Sequence, residues 1–213
     1  MFNLLYRALG ETLLMVFASG VIGYALGLPL GVWLFATRPG QFAARPHLHR
    51  VLGVIVNTGR SVPFIILLVA VLPLTRLLVG TSIGTAAAIV PLSFGAAPFV
   101  ARLVEGALVE VPHSSVEAAF ILGASRRQLI WRVLLPEALP GLIHAATVVL
   151  VSLVGYSAVA GVVGGGGLGD LGIRYGYQRF DAGVMLAVVA LLVALVQLIQ
   201  FAGDRLGRAA DHR

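Results

Sequence analysis

Apolar residues fill this chain in long runs, and the charged residues collect between them. Thr12 to Thr37 carries no charge and exceeds the roughly 20 apolar residues a membrane helix needs. Val51 to Leu74 is a second run, interrupted by Arg60. Leu77 to Ala101 is the third, Pro140 to about Val163 the fourth and Ala182 to Ala202 the fifth. The pattern predicts membrane spans over about 12–37, 55–75, 79–102, 140–163 and 182–202. The first run is too long for the apolar part of a signal peptide, and no small-x-small cleavage site follows it. Pro29 and the glycines at 20, 23, 27 and 31 suit a kinked, closely packed span. Arg60 has two readings. A charge at mid-span is costly and marks function. Alternatively Leu52 to Gly59 lies near the surface, and a span starts near Ser61 with Arg60 at the interface. Pro63 suits a helix start and favours the second.

Between the third and fourth runs the pattern changes. His113 to Pro140 is short, amphipathic and charged. Ser114 with Glu117, and Ser125 with Gln128, each have the spacing of a capping box. Gly123 falls where a left-handed helix end is cheapest without a Cβ. Pro136 is expected to stop the second helix. Phe120 and Ile121 belong to the first helix; Leu129, Ile130, Val133 and Leu134 belong to the second, with Arg126, Arg127 and Arg132 facing elsewhere. Residues 113–136 therefore read as helix, sharp turn, helix. An ordinary connecting helix at a membrane surface fits the same pattern.

Composition narrows the class. Hydrophobic residues make up 59% of the 213 positions and charged residues 11%, against about 25% charge in soluble domains. The chain reads as one all-α integral membrane domain over 1–213. It has no cysteine, so no disulfide, thiolate nucleophile or cysteine metal site is available. All fifteen basic residues are arginine, so a Walker-type site for ATP hydrolysis has no lysine. The net charge of +6 is spread over loops, which argues for membrane topology rather than nucleic acid. With five spans and residues 113–136 in the cytoplasm, that side holds Arg38, Arg45, Arg50, Arg102, Arg126, Arg127, Arg132, Arg205, Arg208 and Arg213. The other side keeps Arg7, Arg76, Arg174 and Arg179. The positive-inside rule then sets the N-terminus outside and the C-terminus inside.

Chemistry-like signals are few. His47 and His49 at i, i+2, without a nearby acidic ligand, read as solvated loop histidines. The run Gly164–Gly172 contains overlapping G-x-G-x-x-G matches, but a span precedes it where a dinucleotide site needs a strand. It reads as a flexible or tightly packed helix end. Gly155-Tyr156-Ser157-Ala158 resembles part of a serine elbow, with Val159 where glycine is needed. His144 is thirteen residues away in the same run, about 20 Å along a helix, so a serine hydrolase is the remote alternative. Ser152, Tyr156, Ser157 and Gly161 are candidates for lining a pathway; interhelical hydrogen bonding explains the polar three equally well.

The segment around Gly123 resembles the EAA loop of ABC-importer permeases, through Glu117, Ala118, Ala119, Gly123, Leu135 and Pro136. The likeness continues in N-T-G-R-S-V-P-F, L-L-P-E-A-L-P-G-L, V-G-Y-S-A and G-G-L-G, and covers nearly the whole chain, on the side of the methionine-uptake branch. The resemblance implies a type I ABC importer permease fold with a core over about 11–204, five transmembrane helices and a coupling elbow between the third and fourth. It implies a homodimer in the bacterial inner membrane, two ATP-binding subunits, and an extracytoplasmic binding protein that delivers L- and D-methionine. ATP and magnesium would sit on the partner, with no cofactor on this chain. Glu117, Ala118, Ala119, Gly123, Ala124, Arg127, Leu135 and Pro136 would then contact or support the ATPase. A permease for another amino acid or small solute is the alternative within the class.

Overall fold

A computed structural model describes residues 2–211; Arg213, counted in the topology above, lies outside them. The described residues are helical with no strand. Helix α1 runs Phe2–Thr37. Its 36 residues extend about 54 Å at 1.5 Å each, well beyond a hydrocarbon core of about 30 Å. It starts well before the uncharged run because Arg7 and Glu11 pair one turn apart at 3.1 Å and continue the helix into a polar region.

The expected second span, 55–75, is not one helix. α2 (Pro46–Ser61) and α3 (Phe64–Val79) are separate and bent by 104°. The cause is Pro63: the residue before a proline is driven out of helical geometry, and Val62 sits at φ −78°, ψ 123°. Only taken together do α2 and α3 have the length and composition of a span. Pro46 opens α2, so His47 and His49, expected in a loop, are helical. His49 there meets the carbonyl of Leu34 at 3.0 Å, while His47 is exposed.

α4 (Thr85–Val109), α8 (Leu139–Ala160) and α10 (Ala182–Ala210) are the remaining long apolar helices. α1 packs along most of α4, and α8 sits against α1, α4 and α10. The α1–α4 contact is backbone-close. A Cβ at Gly23 would lie 2.6 Å from Ala96 Cβ; at Gly27 and Gly31 it would lie 2.6 Å from the carbonyls of Ala97 and Ala101. Small residues at this spacing let helices approach where no water drives them together. Tyr24 hydroxyl donates to the Leu142 carbonyl at 2.7 Å and ties α1 to α8. Met15, Leu92, Val100, Leu108 and Leu153 fill the core, each at most 1% exposed.

The two ends of the bundle differ. At one, α4 leads into α5 (His113–Ile121), α6 (Arg126–Gln128), a π-helical stretch Leu129–Leu134 and α7 (Leu135–Glu137) before α8. At the other, α8 continues as a π-helical stretch Gly161–Gly165 and doubles back as α9 (Gly167–Leu171). A second π-helical stretch, Gly172–Tyr177, follows. The stretch between α8 and α10 is thus largely helical. The glycines serve contact: a Cβ at Gly169 would lie 2.3 Å from the Ala158 carbonyl oxygen. Glu11 accepts from the Gly167 N–H at 2.8 Å, and Thr12 hydroxyl from the Leu168 N–H at 2.9 Å. A small cluster of Ala8, Leu168, Leu171, Val184 and Val188 seals this end.

Candidate coupling elbow and membrane recess

The elbow is built on one short stripe and one glycine. Val116 and Ala119, three residues apart in α5, are buried, and so are Leu129 and Leu134 of the following helix. Ala124 and Leu135 pack half-buried against the same core. Gly123 adopts φ +76°. Its N–H reaches the Phe120 carbonyl at 2.9 Å, and the Ala124 N–H reaches the Ala119 carbonyl at 3.0 Å. These two bonds form a Schellman end, which closes α5 by satisfying its last carbonyls. Ser125 and Gln128 then form the expected capping box: Gln128 N–H to Ser125 hydroxyl at 3.3 Å, and Ser125 N–H to the Gln128 side chain at 2.9 Å.

Two expectations fail here. Ser114 does not cap α5, which starts one residue earlier after Pro112. Glu117, expected to close that box, pairs with His113 at 3.4 Å instead. Pro136 does not stop the second helix but sits in the first turn of α7. The π-helical stretch just before it moves the N–H of Leu135 onto the Ile130 carbonyl, five residues back. That wider turn accommodates a residue with no N–H of its own.

The elbow's outer surface is apolar. Phe120, Ile121 and Leu122 are 44%, 85% and 87% exposed, and Trp131 is 63% exposed. Glu117, Ala118, Gly123, Arg127 and Pro136 are exposed around them, with Arg126 and Arg132. A contiguous apolar tip rimmed by charge is the signature of a contact surface. Leu122 and Trp131 were not among the candidates from sequence. The available signal was phase: apolar residues adjoining a left-handed turn, off the Val116–Ala119 stripe.

The pathway candidates separate. Ser157 is 1% exposed and donates to the Val154 carbonyl at 2.7 Å. Gly161 is buried where a Cβ would lie 2.4 Å from the Asp170 backbone nitrogen. Both are interior packing positions, not walls of an open space. Ser152 is half-buried and donates to the Val148 carbonyl at 2.8 Å. His144 is exposed, and Ser157 points its proton at backbone, so no dyad forms. Tyr156 borders open space. Its ring stacks on Phe64 at 4.7 Å and 16°. Together with Gly59, Arg60, Gly95 and Phe99 it borders a recess of about 160 Å³. Arg60 lies in the last turn of α2, its guanidinium 5.8 Å from the Phe99 ring. Phe99 is near the midpoint of α4, and Arg60 itself is exposed beside the break between α2 and α3. No group of three or more metal-ligating side chains occurs among the described residues.

A glycine-packed bundle of apolar helices that projects a capped, apolar elbow from one end defines a membrane protein built to receive a partner there. The chain belongs to the family described as binding-protein-dependent transport system inner membrane component, whose model matches residues 23–213. It is 57% identical over 210 residues to the D-methionine transport system permease protein MetI of Escherichia coli K12, covering 99% of this chain and 97% of that one. It is 56% identical over 211 residues to the probable D-methionine transport system permease protein MetI of Vibrio cholerae, covering 99% and 94%. A chain in an inward-facing structure of the MetNI methionine ABC transporter superposes with a TM-score of 0.98 at 57% identity, covering 100% of this chain and 98% of that one. An amino acid ABC transporter solved with histidines superposes at 0.79 with 17% identity, a likeness of fold alone. The chain is thus the membrane component of an importer, with the type I importer fold, and ATP hydrolysis is the work of a separate subunit.

Proposed function

We propose that this chain is the permease of an ATP-driven methionine importer that moves L- and D-methionine inward by alternating access. The substrate half rests on the near-complete similarity to methionine permeases. The coupling half rests on one observation: the exposed tip Phe120–Leu122, held at a fixed angle by the Gly123 turn. Two copies would enclose the pathway, since one bundle of this size has little interior space, and a two-fold pair is the commonest solution. Two ATP-binding subunits carrying ATP and magnesium would receive the tip, with Glu117, Ala118 and Arg127 at the contact and Ala119, Ala124, Leu135 and Pro136 supporting it. An extracytoplasmic binding protein would deliver solute at the glycine-rich end. The N-terminus is then outside, the elbow and C-terminus cytoplasmic, and the transporting core covers about 11–204. Closing of the ATPases would draw the two elbows together as rigid bodies and reorient the spans.

The test is reconstitution of the permease with its ATPase and binding protein in vesicles. Labelled methionine should accumulate only when ATP is supplied. An assembled complex that hydrolyses ATP without importing methionine, yet imports another amino acid, would overturn the substrate assignment in favour of the second reading.

A further inference from the structure

We infer that the recess beside Arg60 is a transit subsite that grips the carboxylate of the amino acid as it crosses; this rests on the methionine reading above. Four elements converge there. α2 ends and α3 begins at the 104° bend, α4 passes behind, and α8 contributes Tyr156. Two glycines let the walls close up: a Cβ at Gly59 would meet Pro98 at 3.1 Å, and one at Gly95 would meet Leu67 at 3.3 Å.

Arg60 is the one charged group in this space. It forms none of the ion pairs among the described residues; Arg7, Arg102, Arg174 and His113 account for them. Its partner is instead the face of Phe99. Its guanidinium is exposed in the recess and is engaged by no carboxylate, so it is open to an anionic ligand. Its planar fork of five donors matches a carboxylate with two parallel hydrogen bonds. The rings of Phe64, Phe99 and Tyr156 supply the remaining chemistry of such a solute. An ammonium group is attracted to an aromatic face, and a thioether contacts ring edges favourably. The ligand class is therefore a zwitterionic α-amino acid with an apolar side chain. The Tyr156–Phe64 stack joins α8 to the start of α3, so a solute held at Arg60 touches both sides of the bend.

The absence of cysteine from the chain makes the test direct. Leu67→Cys places a unique permease thiol at the wall of the recess in the reconstituted complex, and its rate of alkylation by a membrane-permeant maleimide is followed. Methionine should slow alkylation about tenfold or more, the scale of a charge-assisted hydrogen-bond pair. Methioninol, with a hydroxyl in place of the carboxylate, should not. Adding Arg60→Gln should abolish protection, and Arg60→Lys should restore part of it. Absence of protection by methionine, equal protection by methioninol, or protection unchanged by Arg60→Gln each overturns the proposal. The comparison of methionine with methioninol decides it even where Arg60→Gln does not assemble. ATP-driven methionine uptake by the unaltered complex is measured alongside. Failure there sinks the methionine reading, whereas normal uptake without protection sinks the recess alone.

Discussion

Replacing Gly123 separates the geometry of the elbow from its packing. A Cβ built at Gly123 meets no atom within 4 Å, so alanine there causes no clash. What it meets is φ +76°. A left-handed conformation costs an L-residue roughly 1–2 kcal/mol, and more for β-branched valine. That weakens the closed turn by about 5- to 30-fold. The Ala124 N–H, bonded to the Ala119 carbonyl at 3.0 Å, reports the change directly. Its hydrogen exchange in the assembled complex should quicken about 5- to 30-fold in Gly123→Ala and further in Gly123→Val. Gly123→Asn should change it least, because asparagine visits the left-handed region. Coupling should follow the same order: methionine imported per ATP hydrolysed falls in Ala, falls most in Val and is best kept in Asn. Ala and Val variants with faster exchange but full coupling would refute the claim that a rigid elbow transmits the stroke. Unchanged exchange would refute the account of the turn itself.

Leu122→Glu, at a side chain 87% exposed, should leave the permease folded in detergent but abolish co-purification of the ATPase; retained co-purification places the contact elsewhere. Gly31→Val drives a Cβ to 2.6 Å from the Ala101 carbonyl oxygen and 2.7 Å from Val104 Cβ. It should collapse the yield of monodisperse protein by size-exclusion chromatography, while Gly10→Val, with nothing within 4 Å, should not. Glu11→Gln replaces a carboxylate acceptor for the Gly167 N–H with a neutral one, and charge-assisted bonds are about twice as strong. The Gly167 and Leu168 amides should exchange several-fold faster, and no change would mean that the backbone alone holds α9. Ser125→Ala removes the capping hydroxyl and should cost about 1 kcal/mol, read as faster exchange at Gln128.

Four of the long helices were legible as apolar runs, because a lipid-facing helix must be apolar over its whole length. The elbow was legible in part. Gly123 and Ser125–Gln128 are local devices, and local devices can be read from neighbouring residues. Ser114–Glu117 was misread because the same carboxylate had a competing partner one turn back in His113, and spacing alone does not rank the two. Pro136 was misread because its effect depends on the width of the preceding turn. The bend at Pro63 was visible as a helix start but not as a right-angled break. The interior roles of Ser157 and Gly161 come from α9 folding back onto α8, a long-range contact that periodicity does not encode. Arg60 is the same kind of case: the proline placed it near a helix boundary, and only the folded chain brings its guanidinium to the Phe99 ring.

The glycine stripe of α1 also limits how this molecule moves. Gly23, Gly27 and Gly31 each receive one residue of an equally spaced row on α4, Ala96, Val100 and Val104. Two such rows mesh like the teeth of a rack. Sliding by a single residue would push a side chain into bare main chain, so α1 and α4 behave as one plank. Whatever stroke the elbow delivers must swing that plank whole. The give is left to the places where the main chain already leaves the helical path, the Val62–Pro63 break and the Gly164–Gly166 fold. One joint follows Gly59, which packs on Pro98 near the middle of α4, and the other sits at its start beside Ile83 and Thr85, so the plank is flanked by give at its waist and at one end.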